Sequence, residues 1–196
     1  MPTDIAGSPA GVLDAWSAPL VADQVGAEEF LGGVADLVTR GRGTGRVLVP
    51  GGGPVADALA GRGYAVTAPP PGGRPSGPRV DVVFSGADEL SRFPVQRDQT
   101  RAVRRLAAFL RPGGALVVQG RHPDPVGWAA DPRVTRHDAT RQTLVPADVR
   151  FPVRYLWPAE LDLMAELADL ALDGRWGGWC GEPVRDGGPV VSVYRS

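Results

Sequence analysis

The chain holds two histidines, and one of them stands where proton chemistry would be useful. His122 lies in Arg121-His122-Pro123-Asp124-Pro125, just after the apolar run 115–119. An imidazole titrates near neutrality, so it can carry a proton in either direction, and a neighbouring carboxylate fixes the ring and steadies its charged form. Two carboxylates qualify: Asp124, two residues on, and Asp88, in Ser85-Gly86-Ala87-Asp88-Glu89 after the apolar run 80–85. The expected site is an acid/base one, with His122 as proton carrier and Asp88 or Asp124 orienting it. Ser85, Arg121, Trp128, Tyr155 and Trp157 are assigned to the wall of a substrate pocket beside it. Plainer roles fit the same residues. Asp88 and Glu89 could cap the turn before the next helix, His122 could bond a loop carbonyl, and the aromatics could be core. His137 is expected to be exposed on a ribbon. No Ser-His-Asp set, phosphate loop or metal-ligand spacing is readable, so no metal is expected. A chain without lysine cannot form a side-chain Schiff base.

For these residues to meet, the apolar runs before them must be neighbouring strands ending on one edge, because ligands of open α/β sheets bind outside the carboxyl ends of the strands. The periodicity supplies such strands. Residues 80–85 and 115–119 are apolar, and between them 96–110 form an amphipathic helix burying Ala102, Val103, Leu106 and Leu110. Upstream come a helix over 28–39 with Phe30, Val34, Leu37 and Val38 on one face, a strand over 47–50, a helix over 55–60 and a strand over 64–67. Strands alternating with helices predict a mostly parallel sheet covered on both faces. Residues 68–78 are too rich in proline for helix or ladder strand. After Arg121, residues 134–137 and 143–145 alternate about a turn, predicting an antiparallel ribbon, with 149–155 as a further strand. Pro158 opens a helix with Leu163, Met164, Leu167 and Leu170 inward, and 172–176 and 190–194 close the sheet as an antiparallel pair. Residues 1–24, with Leu13, Trp16 and Leu20, read as an irregular arm carrying at most one short helix; residues 25–196 read as the domain.

Composition narrows the function classes. A net charge of -1 gives no basic field for nucleic acid and no cationic face for membrane. No run approaches a membrane span, no signal peptide is seen, and the lone Cys180 excludes an internal disulfide; a cytoplasmic location is expected. All 21 basic residues are arginine and asparagine is absent, which reads as coding bias and argues against interpreting arginine clusters from sequence.

Five segments, in order, resemble the class I S-adenosylmethionine (SAM) methyltransferases of small-molecule type. Val47-Leu48-Val49-Pro50-Gly51-Gly52-Gly53 is similar to their glycine turn, Asp81-Val82-Val83-Phe84-Ser85 to the fourth strand, and Leu110-Arg111-Pro112-Gly113-Gly114 to the turn before the fifth. Tyr155-Leu156-Trp157-Pro158-Ala159-Glu160-Leu161 and Arg175-Trp176-Gly177-Gly178-Trp179 are similar to the C-terminal part. The resemblance implies a Rossmann-like sandwich and, if SAM is retained, Gly51, Gly52 and Gly53 as its holders.

Three departures set this chain apart. The family's turn reads Gly-x-Gly-x-Gly, whereas here Pro54 and Val55 follow Gly53 and the loop is about two residues short. The family's ribose-gripping acid at the end of the second strand falls among Ala68, Pro69 and Pro70. A helix, strand and helix between its second and fourth strands need roughly 25 residues; residues 68–79 provide twelve. The third-strand unit is therefore expected to be missing. The reading preferred from sequence is a repurposed tailoring enzyme of small-molecule metabolism, doing acid/base or cyclisation chemistry with no cofactor. The alternatives are a non-catalytic partner subunit and a SAM-dependent methyltransferase with an atypical site. The strand over 64–67 would become a sheet edge, to be covered by the arm, by a second copy or by a heteromeric partner.

Overall fold

The computed structural model describes residues 10–41, 43–69, 77–149 and 151–196, with only the backbone considered over 10–15. β3 (Val80–Ser85) is buried at every position, as a strand covered on both faces must be. It pairs in parallel with β1 (Arg46–Leu48) on one side and β4 (Leu110–Arg121) on the other. β2 (Ala65–Thr67) adds in parallel beyond β1. β9 (Pro189–Arg195) and β8 (Ala171–Trp176) add antiparallel beyond β4, giving the order β2-β1-β3-β4-β9-β8. Alternation along the strands sorts the core into two layers. Val47, Val49, Val82, Phe84 and Val117 pack under α2 (Ala27–Thr39) and α3 (Pro54–Gly61). Leu48, Val83, Leu116, Val118 and Tyr194 pack under α4 (Gln96–Ala107) and α6 (Pro158–Glu166). Among the described residues β2 is the sheet edge, as expected from the missing unit, and the twelve residues between Thr67 and Val80 cannot hold a helix, strand and helix.

The ribbon forms its own antiparallel sheet of β5 (Val134–Asp138), β6 (Thr143–Pro146) and β7 (Val153–Arg154). One buried side chain fastens it to the domain. The Arg154 guanidinium donates to Gln99 Oε1, to Gln142 Oε1 and, at 2.6 Å, to Glu160 Oε1. Gln99 Nε2 in turn donates to the carbonyls of Leu90 (3.1 Å) and Arg154 (2.9 Å). α5 (Pro125–Ala130) bridges the end of β4 to the ribbon, with Asp124 accepting from Gly127 N as its N-cap.

Several expectations need correcting. The arm forms α1 (Ala10–Ala22), although Pro19 interrupts it; burial of Trp16, Ser17 and Leu20 at the sheet rim holds a helix that its propensity would not. Those contacts carry it to the end of β4, so Trp16 and Leu20 do not cover β2; Leu13 lies outside the described side chains. α4 ends at Ala107, and the Pro-Gly-Gly segment is a bulge inside β4, where Leu110 already pairs with Val80. Gly113 takes a positive φ there, and a Cβ on Gly114 would lie 3.0 Å from the Asp81 carbonyl. On α6 the inward face is Leu161, Met164 and Ala165, while Leu163 and Leu167 are 61% and 58% exposed, because nine residues are pinned at one end by Glu160 and at the other by Leu170. Leu37 is likewise exposed. Of the strand expected over 149–155, β7 forms; Arg150 and residues 70–76 lie outside the described residues.

Candidate functional site

The rim at the carboxyl ends of β1–β4 carries Gly51 to Gly53, Ser85, Asp88, Arg121, His122 and Asp124, while Trp128 lies on α5 and Tyr155 and Trp157 follow β7. At the end of β1, Gly51, Gly52 and Gly53 all take positive φ (77°, 71° and 98°), a path open to glycine alone at little cost. Gly51 N donates to Pro69 O at 2.9 Å and Gly52 N to Val49 O at 3.0 Å, so both amides are spent within the chain. α3 then starts on Pro54, which has no donor to offer. Gly51 and Gly53 are exposed, and no described atom lies within 4 Å of where a Cβ on Gly53 would sit. Thr67, Ala68 and Pro69 close β2 without a carboxylate.

Between β3 and β4 the rim is closed by polar side chains. Gln119 is buried; its Oε1 accepts from Gln24 Nε2 (2.9 Å) and Ala87 N (3.1 Å), and its Nε2 donates to Leu20 O (3.0 Å). This amide knits the turn after α1 to both strands. Ala87 and Asp88 take left-handed conformations, and Asp88 turns its carboxylate inward to accept from Arg121 N at 2.9 Å, with Arg121 Nε 3.8 Å away. Burial pushes the Asp88 carboxyl above its ordinary value, with Arg121 pulling the other way. Glu89, which accepts from Ser85 Oγ at 3.0 Å, is also pushed up by burial. Arg121 donates to Trp16 O and lies over the Trp16 ring at 4.5 Å.

The expected trio of His122, Asp88 and Asp124 is not brought together. Asp88 is engaged by Arg121, and Asp124 caps α5. The partner of His122 is Asp186, whose Oδ1 lies 3.1 Å from His122 Nδ1, with Pro123 O also at 3.1 Å. Both oxygens face the same ring nitrogen. Asp186 comes from the β8–β9 connection, tied back by His122 N to Gly188 O at 2.8 Å, and no sequence spacing brings it near.

Of the five residues assigned to the pocket wall, Trp128, Tyr155 and Trp157 meet in one aromatic array with Trp16 and His122. Trp16 meets Trp128 (6.3 Å between centroids), Trp128 meets Tyr155 (4.9 Å), Tyr155 meets Trp157 (6.4 Å), and Trp157 meets the His122 ring edge-on (5.7 Å). His137 corrects its expected exposure: it is half-buried, packs on Trp128, and its Nε2 lies 3.2 Å from Tyr155 Oη. Its position one residue before the ribbon turn hid this, since the face of β5 is set by packing on α5. Ser85 stays apart, bonded to Glu89. Beside the array a cleft of about 230 Å³ opens between α1, α5 and the ribbon, lined by Trp16, Arg121, Asp124, Trp128, Arg133 and Asp148 among others.

At the level of sequence, no protein-family model and no curated protein matches. Solved structures do. The CcbJ methyltransferase from Streptomyces caelestis is 24% identical and superposes with a TM-score of 0.68 over 100% of both chains. The fold is that of the class I methyltransferases. Burkholderia thailandensis 1,6-didemethyltoxoflavin-N1-methyltransferase, solved with S-adenosylhomocysteine, has 15% identity and a TM-score of 0.56 over 97% of this chain and 91% of that one. The sugar N-methyltransferase KedS8 from a Streptoalloteichus species has 17% identity and a TM-score of 0.55 over 100% and 98%. On this methyltransferase fold no described helix is long and apolar enough to cross a membrane, and the described residues include no group of three or more His, Cys, Asp or Glu placed for a metal.

Proposed function

We propose that this is a small-molecule tailoring enzyme on a methyltransferase fold that works without SAM, by acid–base chemistry at His122 and the aromatic array. The observation carrying the first half is the junction of β1 and β2. The Gly51 amide is bonded to Pro69 O, and no side chain from Thr67 to Pro69 can act as the acid that grips a ribose. The residues present do not fit the nucleoside end of SAM, so no step is routed through it. The second half rests on His122. His122 is assigned as the proton carrier, with Asp186 Oδ1 3.1 Å from Nδ1 to orient the ring and Trp157 packed edge-on against it. At the other end of the array, Tyr155 Oη with His137 offers a second proton-carrying pair. Asp88 acts by position, holding the backbone of Arg121 one residue before His122.

Calorimetry with SAM and S-adenosylhomocysteine tests the first half: no saturable heat is expected, and a micromolar dissociation constant overturns it. The relatives solved with such ligands favour the second reading, a SAM-dependent methyltransferase using Gly51 to Gly53. Association is part of the proposal: β2 is an uncovered edge among the described residues, suited to a second copy or a heteromeric partner, and a partner-subunit role would leave His122 dispensable.

A further inference from the structure

At the amino ends of the strands, opposite the rim, lies a cleft of about 760 Å³ with a strongly one-sided charge. Five of the twelve described residues that line it are arginine (Arg40, Arg46, Arg79, Arg111 and Arg195), against 21 arginines in the 196-residue chain, so the clustering exceeds what coding bias produces. Asp81 is the one acid among the described lining residues, and it is committed to Arg111 and to Arg46 N.

Arginines at this end of a parallel sheet ordinarily serve the carbonyls left over at helix C-termini. Here the carbonyls of Asp36, Leu37 and Val38 are already served. In the last turn of α2, Thr39 Oγ1 and Gly41 N donate to Asp36 O, Arg40 N to Leu37 O, and Arg111 Nη2 to Val38 O. Arg79 takes Leu110 O and Arg195 pairs with Asp173. The side chains of Arg40 and Arg46 have no partner among the described residues. Exposed Leu37 and Pro112 form an apolar ledge within the same cleft.

We propose that this cleft binds a polyphosphate-bearing small molecule, with the Arg40 and Arg46 guanidinium groups on the phosphates and the Leu37 ledge under whatever organic part is attached. Guanidinium forks match phosphate oxygens bidentately, and clustered unpaired cations favour a compact multiple anion over a single carboxylate. The site is independent of the rim, so the fate of the SAM reading does not touch it.

The test is calorimetry of the full chain with sodium tripolyphosphate and with ATP, at low and physiological salt. One site per chain with a dissociation constant below about 1 mM, weakening with salt, is expected. The Arg40→Asn/Arg46→Ser variant should bind at least about tenfold more weakly. Asn suits the left-handed φ of Arg40 (53°). The Arg97→Ser/Arg101→Ser control on the exposed face of α4 should change binding less than about twofold. ATP binding tighter than tripolyphosphate assigns the site to nucleotides; equal binding assigns it to free polyphosphate. No saturation by about 5 mM, equal loss in the control, or tighter binding of a hexaglutamate peptide overturns the proposal.

Discussion

Arg154 offers a sharp test of how the cleft between rim and ribbon is built, because removing it strands three partners at once. Its side chain is only 7% exposed and that of Glu160 is 14% exposed; Glu160 Oε1 also accepts from Gln96 Nε2, and Oε2 has no hydrogen-bond partner among the described residues. Arg154→Met keeps most of the volume but leaves the Glu160 charge buried without its cation, a loss of about 3–5 kcal/mol. Gln99 Oε1 is also left without a donor, adding about 1–3 kcal/mol. Partial water entry makes the two overlap, so about 4–6 kcal/mol is expected, a large share of the roughly 5–15 kcal/mol that holds a domain together. For a chain of this size that corresponds to a melting point lower by about 10–20 °C. Differential scanning calorimetry reads it, and near-ultraviolet circular dichroism reads the Trp128–Tyr155 packing that the ribbon should lose. Adding Glu160→Gln to Arg154→Met should recover at least about 1.5 kcal/mol by removing the stranded charge. A single-variant loss under about 1 kcal/mol, or no recovery in the double variant, would refute the view that this ion pair fastens the ribbon.

His122→Ala should lower turnover at least about a hundredfold with an unchanged melting point, and Asp186→Asn should lower it less; full activity in His122→Ala reduces the ring to a loop residue. Gly120→Ala would place a Cβ 3.0 Å from Asp88 Oδ1, so a loss of about 1–3 kcal/mol is expected in urea denaturation, and a neutral result would mean that Asp88 is free to move. The Asp88 and Glu89 carboxyls have folded-state values raised by burial. The folded state therefore holds those protons more tightly, and the stability they contribute is present below the ordinary carboxylate range and lost as pH rises through the raised values. Asp88→Asn/Glu89→Gln should flatten that fall, and an unchanged stability–pH curve would count against their burial. Light scattering should find a dimer for the full chain, and a truncated chain starting near Gly26 should still self-associate through β2; a monomer in both cases removes the edge proposal.

The sheet was legible because strand identity is a local property. The unbroken apolar runs at 80–85 and 115–119, the amphipathic 96–107 and the glycines after Pro50 each announce themselves within a few residues, and their order implies a parallel sheet. The missing unit was legible too, since chain length alone forbids a helix, strand and helix in the twelve residues after Thr67. Helix faces were less so: Leu37, Leu163 and Leu167 keep the apolar spacing yet point outward, because which stripe is buried depends on what docks there. The arm shows the same limit, its helix existing through contacts with Gln119 and Arg121 a hundred residues away. The site was legible only by residue type. That His122 lies at the rim follows from its placement after the end of β4. That Asp186 rather than Asp88 or Asp124 faces the imidazole, that His137 meets Tyr155, and that five arginines surround one cleft follow from chain crossings no spacing encodes. Sequence by itself determines which segments become strands and helices, because those preferences are summed over neighbours; only the tertiary structure decides which charges and rings meet, because that depends on where distant segments are brought to the same edge.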